Sequence, residues 1–167
     1  MNIRDVARAD FNAVLALNEE SVAFLSPLTH ARLLNLCAEA ALQRAVEIDT
    51  CVAAFLIGLR EGASYDSPNY RWFAERYTRF LYVDRVVVSA RHQGLGLGSA
   101  LYADAVAHAR QSDAGMLTCE FDIEPPNHGS RQFHRKFGFR EVGTQLVAGG
   151  KKLVSLQALE LSAANVA

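Results

Sequence analysis

The sequence predicts an α+β fold of about seven strands and about four helices. Two observations carry this. Paired strand-like runs occur at 43–49 with 51–59 and at 139–148 with 151–160, each pair meeting at turn residues, Asp49-Thr50 and Gly149-Gly150. Between them a β-branched run ending in Val86-Val87-Val88 leads through Gly94, Gly96 and Gly98 directly into an apolar-periodic segment, a strand–turn–helix signature.

The elements follow in chain order. Residues 2–6 predict a first strand, and Ala9-Asp10 caps a helix whose Phe11, Val14, Leu15 and Leu17 fall near one face. Pro27 separates it from a second helix over 29–41, with Leu33, Leu34, Leu36, Cys37, Ala40 and Ala41 at helical spacing. The connector at 18–26 is either a plain link or one wall of a pocket. The strand at 51–59 is almost wholly apolar, as a central strand covered on both faces must be. Residues 60–77 predict a long turn-rich loop holding three tyrosines, the single tryptophan and a phenylalanine, too aromatic for disorder. After the strand at 80–88, Gly98, Leu101, Tyr102, Ala105, Val106 and Ala109 mark a helix that ends at Asp113-Ala114-Gly115. A strand at 116–123 alternates so that Glu120, Asp122 and Glu124 share a side, and Pro125-Pro126-Asn127 stops it. A short helix over 128–136 presents Ser130, Phe133, His134 and Phe137 on one face before Gly138. The last hairpin expects a two-residue turn at Gly149-Gly150, and the tail at 162–167 is expected to fray.

At 167 residues, half of them hydrophobic, the chain suits one domain, 1–167, with a real core. Its net charge of −1 and scattered basic residues argue against nucleic acid or an anionic membrane as partner. The start, Met1-Asn2-Ile3-Arg4-Asp5, lacks an apolar targeting core and no apolar run is long enough to span a bilayer, so a cytoplasmic protein is expected. Cys37, Cys51 and Cys119 are odd in number, dispersed and in apolar contexts. They predict reduced core thiols rather than a disulfide or metal site, and no metal is expected.

The glycines at 94, 96 and 98 strip side chains from the turn, so backbone N–H groups and the positive end of the following helix dipole converge on an anion, a phosphate or pyrophosphate. The dinucleotide fingerprint fails, because Ser99 stands where the third glycine belongs. A Walker loop fails for want of a lysine after the glycines. What remains is Gln93-Gly94-Leu95-Gly96-Leu97-Gly98, a Q-x-x-G-x-G sequence between strand and helix. It resembles the acyl-CoA pyrophosphate loop of the GCN5-related N-acetyltransferase (GNAT) superfamily. Downstream, 127–139, from Asn127 through Ser130, Phe133, His134 and Lys136 to Gly138-Phe139, resembles that superfamily's N-x-x-A-x-x-F-Y-x-K-x-G-F block, and the predicted element order matches along nearly the whole chain.

The resemblance implies a mixed, mostly antiparallel central sheet and an acetyl-CoA-dependent N-acetyltransferase acting on a primary amine of a small molecule or peptide. Acetyl-CoA is then the co-substrate and the amine the acceptor; a homodimer is the family's habit. It further implies that backbone groups of a splayed strand at Val86, Val87 and Val88 bind the pantetheine arm and thioester carbonyl. Gln93, Gly94, Leu95, Gly96, Leu97, Gly98 and Ser99 would hold the pyrophosphate, with Asn127, Arg131 and His134 along the far side of the cofactor. Val87 should point into the core.

The reaction also needs a base for the amine and an acid for the departing thiolate. Strand alternation puts Tyr82 and Asp84 on the face shared with Val86 and Val88, making Asp84 the first candidate base and Glu120 the second. A carboxylate of ordinary pKa near 4 serves only if burial raises it or water intervenes. The alternative for each is an ion pair, for instance with Arg85 or Arg79. His134 departs from the family by standing where a tyrosine acid is common. Its imidazole, at about 6.5 against about 8.5 for a thiol, is either the replacement acid or a filler beside Phe133 and Phe137. His30, His92, His108 and His128 predict surface positions. Tyr65, Asp66, Asn69, Tyr70 and Trp72 of the aromatic loop either contact the acceptor or fold over the sheet as a packing lid. An acyl-CoA-binding relative without turnover is the competing function.

Overall fold

Asp49 and Thr50 both take positive φ, 48° and 64°, and Ile48 pairs with Cys51 across them. That is the two-residue turn whose twist suits an antiparallel pair, and it lies where the sequence put it. The computed structural model describes residues 1–161; the tail at 162–167 lies outside the described residues. Chain order is β1 (Asn2–Asp5), α1 (Phe11–Glu20), α2 (His30–Glu39), β2 (Leu42–Ile48), β3 (Cys51–Arg60), α3 (Pro68–Ala74), β4 (Leu81–Val88), α4 (Leu97–Gln111), β5 (Met116–Glu124), α5 (His128–Phe137), β6 (Arg140–Val147) and β7 (Lys152–Glu160). The strands form a seven-stranded sheet in the order β1-β2-β3-β4-β5-β7-β6, antiparallel in the pairs β1–β2, β2–β3, β5–β7 and β6–β7 and parallel in β4–β5. The expected α+β architecture is therefore present, with one helix more than predicted.

Two compact units divide the chain, Met1–Leu59 with Val83–Ala107, and Arg60–Tyr82 with His108–Ala167. In the first, β3 is buried from Ala53 to Leu59, as its unbroken apolar run required. Val14 and Leu17 of α1 and Leu33 and Leu36 of α2 are buried. Each such side chain, fully removed from water, contributes roughly 1.5–3 kcal/mol. Thr29 caps α2 by accepting from the Arg32 N–H at 3.1 Å. Leu34 is exposed, and the helix ends at Glu39, because Ala40 turns to extended backbone.

In the second unit Phe73, Phe80, Leu81, Tyr82 and Leu117 are buried without residual exposure. Here the segment expected as a long loop contains α3. Its start is chemically ordinary: Ser67 accepts from the Tyr70 N–H at 3.3 Å and Pro68 occupies the first turn, where its missing N–H costs nothing. The final hairpin corrects a second expectation. Val147 pairs with Lys152, so four residues rather than two make the turn, with Ala148, Gly149 and Gly150 all at positive φ. Cys51 corrects a third, being exposed at the start of β3 while Cys119 is buried. Among the described residues no helix is long and apolar enough to cross a membrane.

Candidate active site

Gly94 and Gly96 stand at φ +79° and +78°, a region that costs an L side chain dearly, and nothing lies within 4 Å of where their Cβ atoms would be. Strain rather than crowding selects glycine here. The Ala100 N–H donates to the Gly96 carbonyl at 2.9 Å, which makes Gly96 the residue that opens α4. The first N–H groups of a helix have no intrahelical acceptor, and they carry the positive end of its dipole. Leu97 is buried and anchors the turn, whereas Gln93, Leu95 and Ser99 are exposed and Gly98 is half-buried. On the strand before it, Val87 is buried as expected and Val86 and Val88 are half-buried.

The two candidate bases have different surroundings. Asp84 meets Arg85 through Nε at 2.6 Å, and the two side chains are only 5% and 3% exposed. Arg85 reaches on to the Asn18 side-chain oxygen at 2.7 Å and the Ser26 hydroxyl at 3.4 Å. An ion pair so enclosed holds α1 and the connector after it against β4. Glu120, half-buried on β5, accepts instead from the Tyr82 phenol at 3.0 Å, a neutral partner. Asp122, on the same strand, is buried and bridged to Lys152 at 2.7 Å.

α5 is capped by Asn127, whose side-chain oxygen accepts from the Ser130 N–H at 3.1 Å. Arg131 is exposed on its first turn. His134 is buried, stacked on Phe121 at 5.6 Å and met edge-on by Phe133 and Phe139. Its Nδ1 lies 2.8 Å from the Ser130 carbonyl, an acceptor, so Nδ1 carries the proton. Burial lowers the His134 pKa below its ordinary value, against a smaller raising effect of that backbone hydrogen bond. The ring is therefore held neutral at pH 7, with a lone pair on Nε2. His92 and His108 are half-buried rather than on the open surface.

The aromatic segment is built into the second unit. Tyr70 is buried, its hydroxyl donating to the Arg60 carbonyl at 2.8 Å and accepting from the Ala63 N–H at 2.9 Å. Asn69 is buried and accepts from Gln145 on β6 at 3.0 Å. Trp72 lies against Gly143, where a Cβ would stand 2.7 Å from the indole, and Arg76 covers the ring at 4.1 Å. Tyr65 packs edge-on to Tyr70 and is half-buried, and Asp66 is exposed. Packing and hydrogen bonds thus engage Asn69, Tyr70 and Trp72 within the second unit. Sequence reasoning missed Gly143 and Gln145, which carry no local signal; it also missed α3, which the Ser67-Pro68 start would have revealed.

The acetyltransferase (GNAT) family model matches residues 18–139. No curated protein sequence matches. Among solved structures, Ard1 from Thermoplasma volcanium is similar with a TM-score of 0.79 at 16% identity, over 96% of this chain and 97% of that one. Naa20 of Chaetomium thermophilum, solved with a bisubstrate analogue, gives 0.79 at 16% identity over 98% and 88%. The ribosomal-protein-S18-alanine N-acetyltransferase of Escherichia coli gives 0.73 at 16% identity over 99% and 96%. At these identities the likeness is one of fold. The family match covers most of the chain, and the chain belongs to the acetyltransferase (GNAT) family, a class of acetyl-CoA-dependent N-acetyltransferases.

Proposed function

We propose that this protein transfers the acetyl group of acetyl-CoA directly to a primary amine of a small molecule or peptide, with 1–167 acting as one acetyltransferase domain. The observation that carries the reading is the Gln93 to Ser99 turn: two glycines in left-handed conformation open straight into α4. Such a turn suits a pyrophosphate held by main-chain N–H groups, and the residues present fit that group. Backbone groups at Val86, Val87 and Val88 would hold the pantetheine arm and polarise the thioester carbonyl; Asn127 and Arg131 are proposed as further contacts to the cofactor. One of the similar structures is of an enzyme named for a ribosomal-protein substrate, which supports an amine acceptor of the peptide kind.

For the base, Glu120 is the better of the two carboxylates, because Asp84 is committed to Arg85. Glu120 takes the proton from the attacking amine, the nitrogen forms its bond to the carbonyl carbon, and the C–S bond breaks to release CoA thiolate. His134, neutral and with its proton directed at the Ser130 carbonyl, is a poor donor to that thiolate. The sulfur then takes its proton from solvent or from the protonated base. This loss of the usual acid also motivates the second reading, an acyl-CoA-binding relative without turnover. A panel of primary amines and N-terminal peptides, with free CoA thiol as the readout, separates the two: acceptor-dependent release supports the enzyme, whereas CoA binding with no release across the panel overturns it.

A further inference from the structure

Tyr82 lies on β4, and its backbone pairs with Thr118 of β5, two residues before Glu120. Neighbouring strands present paired residues on the same face, and residues two apart share that face. The Tyr82 phenol therefore runs along the β5 surface to reach the Glu120 carboxylate, donating to Oε1 at 3.0 Å. Its ring has no residual exposure and is held from the side by α3: Tyr70 stands edge-on at 5.6 Å and Phe73 is tilted at 5.9 Å. Tyr70 is fixed in turn by both hydrogen bonds of its own hydroxyl, to Arg60 and Ala63. α3 is pinned to β6 at two places, by the Asn69–Gln145 hydrogen bond and by the indole of Trp72 lying on Gly143. Every link of this chain of contacts lies within the second unit.

From this arrangement we infer that Tyr82 is a positioning residue for acetyl transfer, and that α3 is the clamp that keeps its hydroxyl aimed at Glu120. The inference rests on the reading of Glu120 as the base. A base that collects a proton from an amine must hold one orientation through the attack, and a carboxylate on a single flexible side chain does not do so unaided. A hydrogen bond from a buried phenol to Oε1 restrains the carboxylate plane. It also favours the ionised form, which is the form that accepts the proton. A clamp made of rings achieves this at low conformational entropy, since each ring has two side-chain torsions.

Tyr82→Phe tests the inference without disturbing packing, because the ring and its α3 contacts remain. The expected result is a roughly tenfold lower kcat, an acidic limb of the kcat/KM profile displaced to higher pH, an unchanged KM for acetyl-CoA, and a melting temperature lowered only slightly, as the loss of one part-buried hydrogen bond requires. Glu120→Gln is run beside it. If Glu120→Gln is inactive while Tyr82→Phe keeps the parental kcat and pH profile, the positioning role is overturned and the base stands. If Glu120→Gln transfers acetyl groups at the parental rate, the base assignment fails and the role of Tyr82 with it. Phe73→Leu provides a third measurement, loosening the clamp alone; it should lower kcat in the same direction as Tyr82→Phe and move the same pH limb.

Discussion

At Gly143 a single absent methyl group decides where the only tryptophan lies. A Cβ there would stand 2.7 Å from Cζ2 and 3.2 Å from Cη2 of Trp72, closer than real contacts come, and the indole is too rigid to yield at one edge. Gly143→Ala should therefore destabilise the protein by about 1–3 kcal/mol, measured as a lower urea midpoint, with reduced tryptophan emission anisotropy if the ring is expelled. Arg85 gives the second prediction at this scale. Arg85→Met keeps the aliphatic stem but leaves the Asp84 carboxylate and the Asn18 amide buried without their cation, a loss of about 3–5 kcal/mol; Asp84→Asn added to it should recover part of the loss. These residues also show what a sequence hides. The pairing of Asp84 with Arg85 was legible as an alternative, since the two are adjacent. The roles of Gly143 and Gln145 were not, because the residues they serve, Trp72 and Asn69, lie about seventy positions earlier and only the fold joins them.

Elements were legible in proportion to their length and periodicity. β3 was recognisable from an unbroken apolar run and α4 from its repeating apolar stripe, because many residues report one state. α3 is two turns long, so periodicity had too few residues to act on, and only its Ser-Pro start announced it. The turn after β6 was misjudged for a related reason: Gly149-Gly150 satisfies a two-residue turn locally, but the register Val147–Lys152 adds Ala148 and Lys151 to it. α5 supplies the prediction that belongs here, since Asn127 has two candidate roles. As a cap it accepts from the Ser130 N–H, and Asn127→Ala should cost about 1 kcal/mol of stability in a thermal melt. Asn127→Asp keeps the cap. If Asn127 also lines the cofactor, the Asp variant should retain the parental melting temperature yet bind acetyl-CoA more weakly in a calorimetric titration, because a carboxylate beside a polyanion repels it.

Titration ties groups spread over the molecule into one stability profile. His134 is lowered below its ordinary 6.5 by burial, so folding resists its protonation. Above 6.5 both folded and unfolded chains carry it neutral and nothing is lost; as pH falls below 6.5 the unfolded state binds the proton first, and stability declines until the folded value is passed. Glu61 and Asp10 are lowered from 4.5 and 3.8, chiefly by hydrogen bonds from Arg60 and Arg4, so their contributions are present above those values and disappear as acid protonates them. Cys37 acts at the other end. Burial raises its thiol above 9.0, so the unfolded chain ionises first and stability is lost as pH rises beyond that point. The three windows leave a plateau from about pH 7 to about pH 9. Melting temperatures recorded from pH 4 to pH 10 should show it, with a first descent below pH 6.5. Replacing His134 with Gln should remove that first descent and leave the steeper one below pH 4.5 in place. A parental profile that is flat between pH 6.5 and pH 5 would contradict the neutral, buried imidazole, and with it the reason for denying His134 the role of acid.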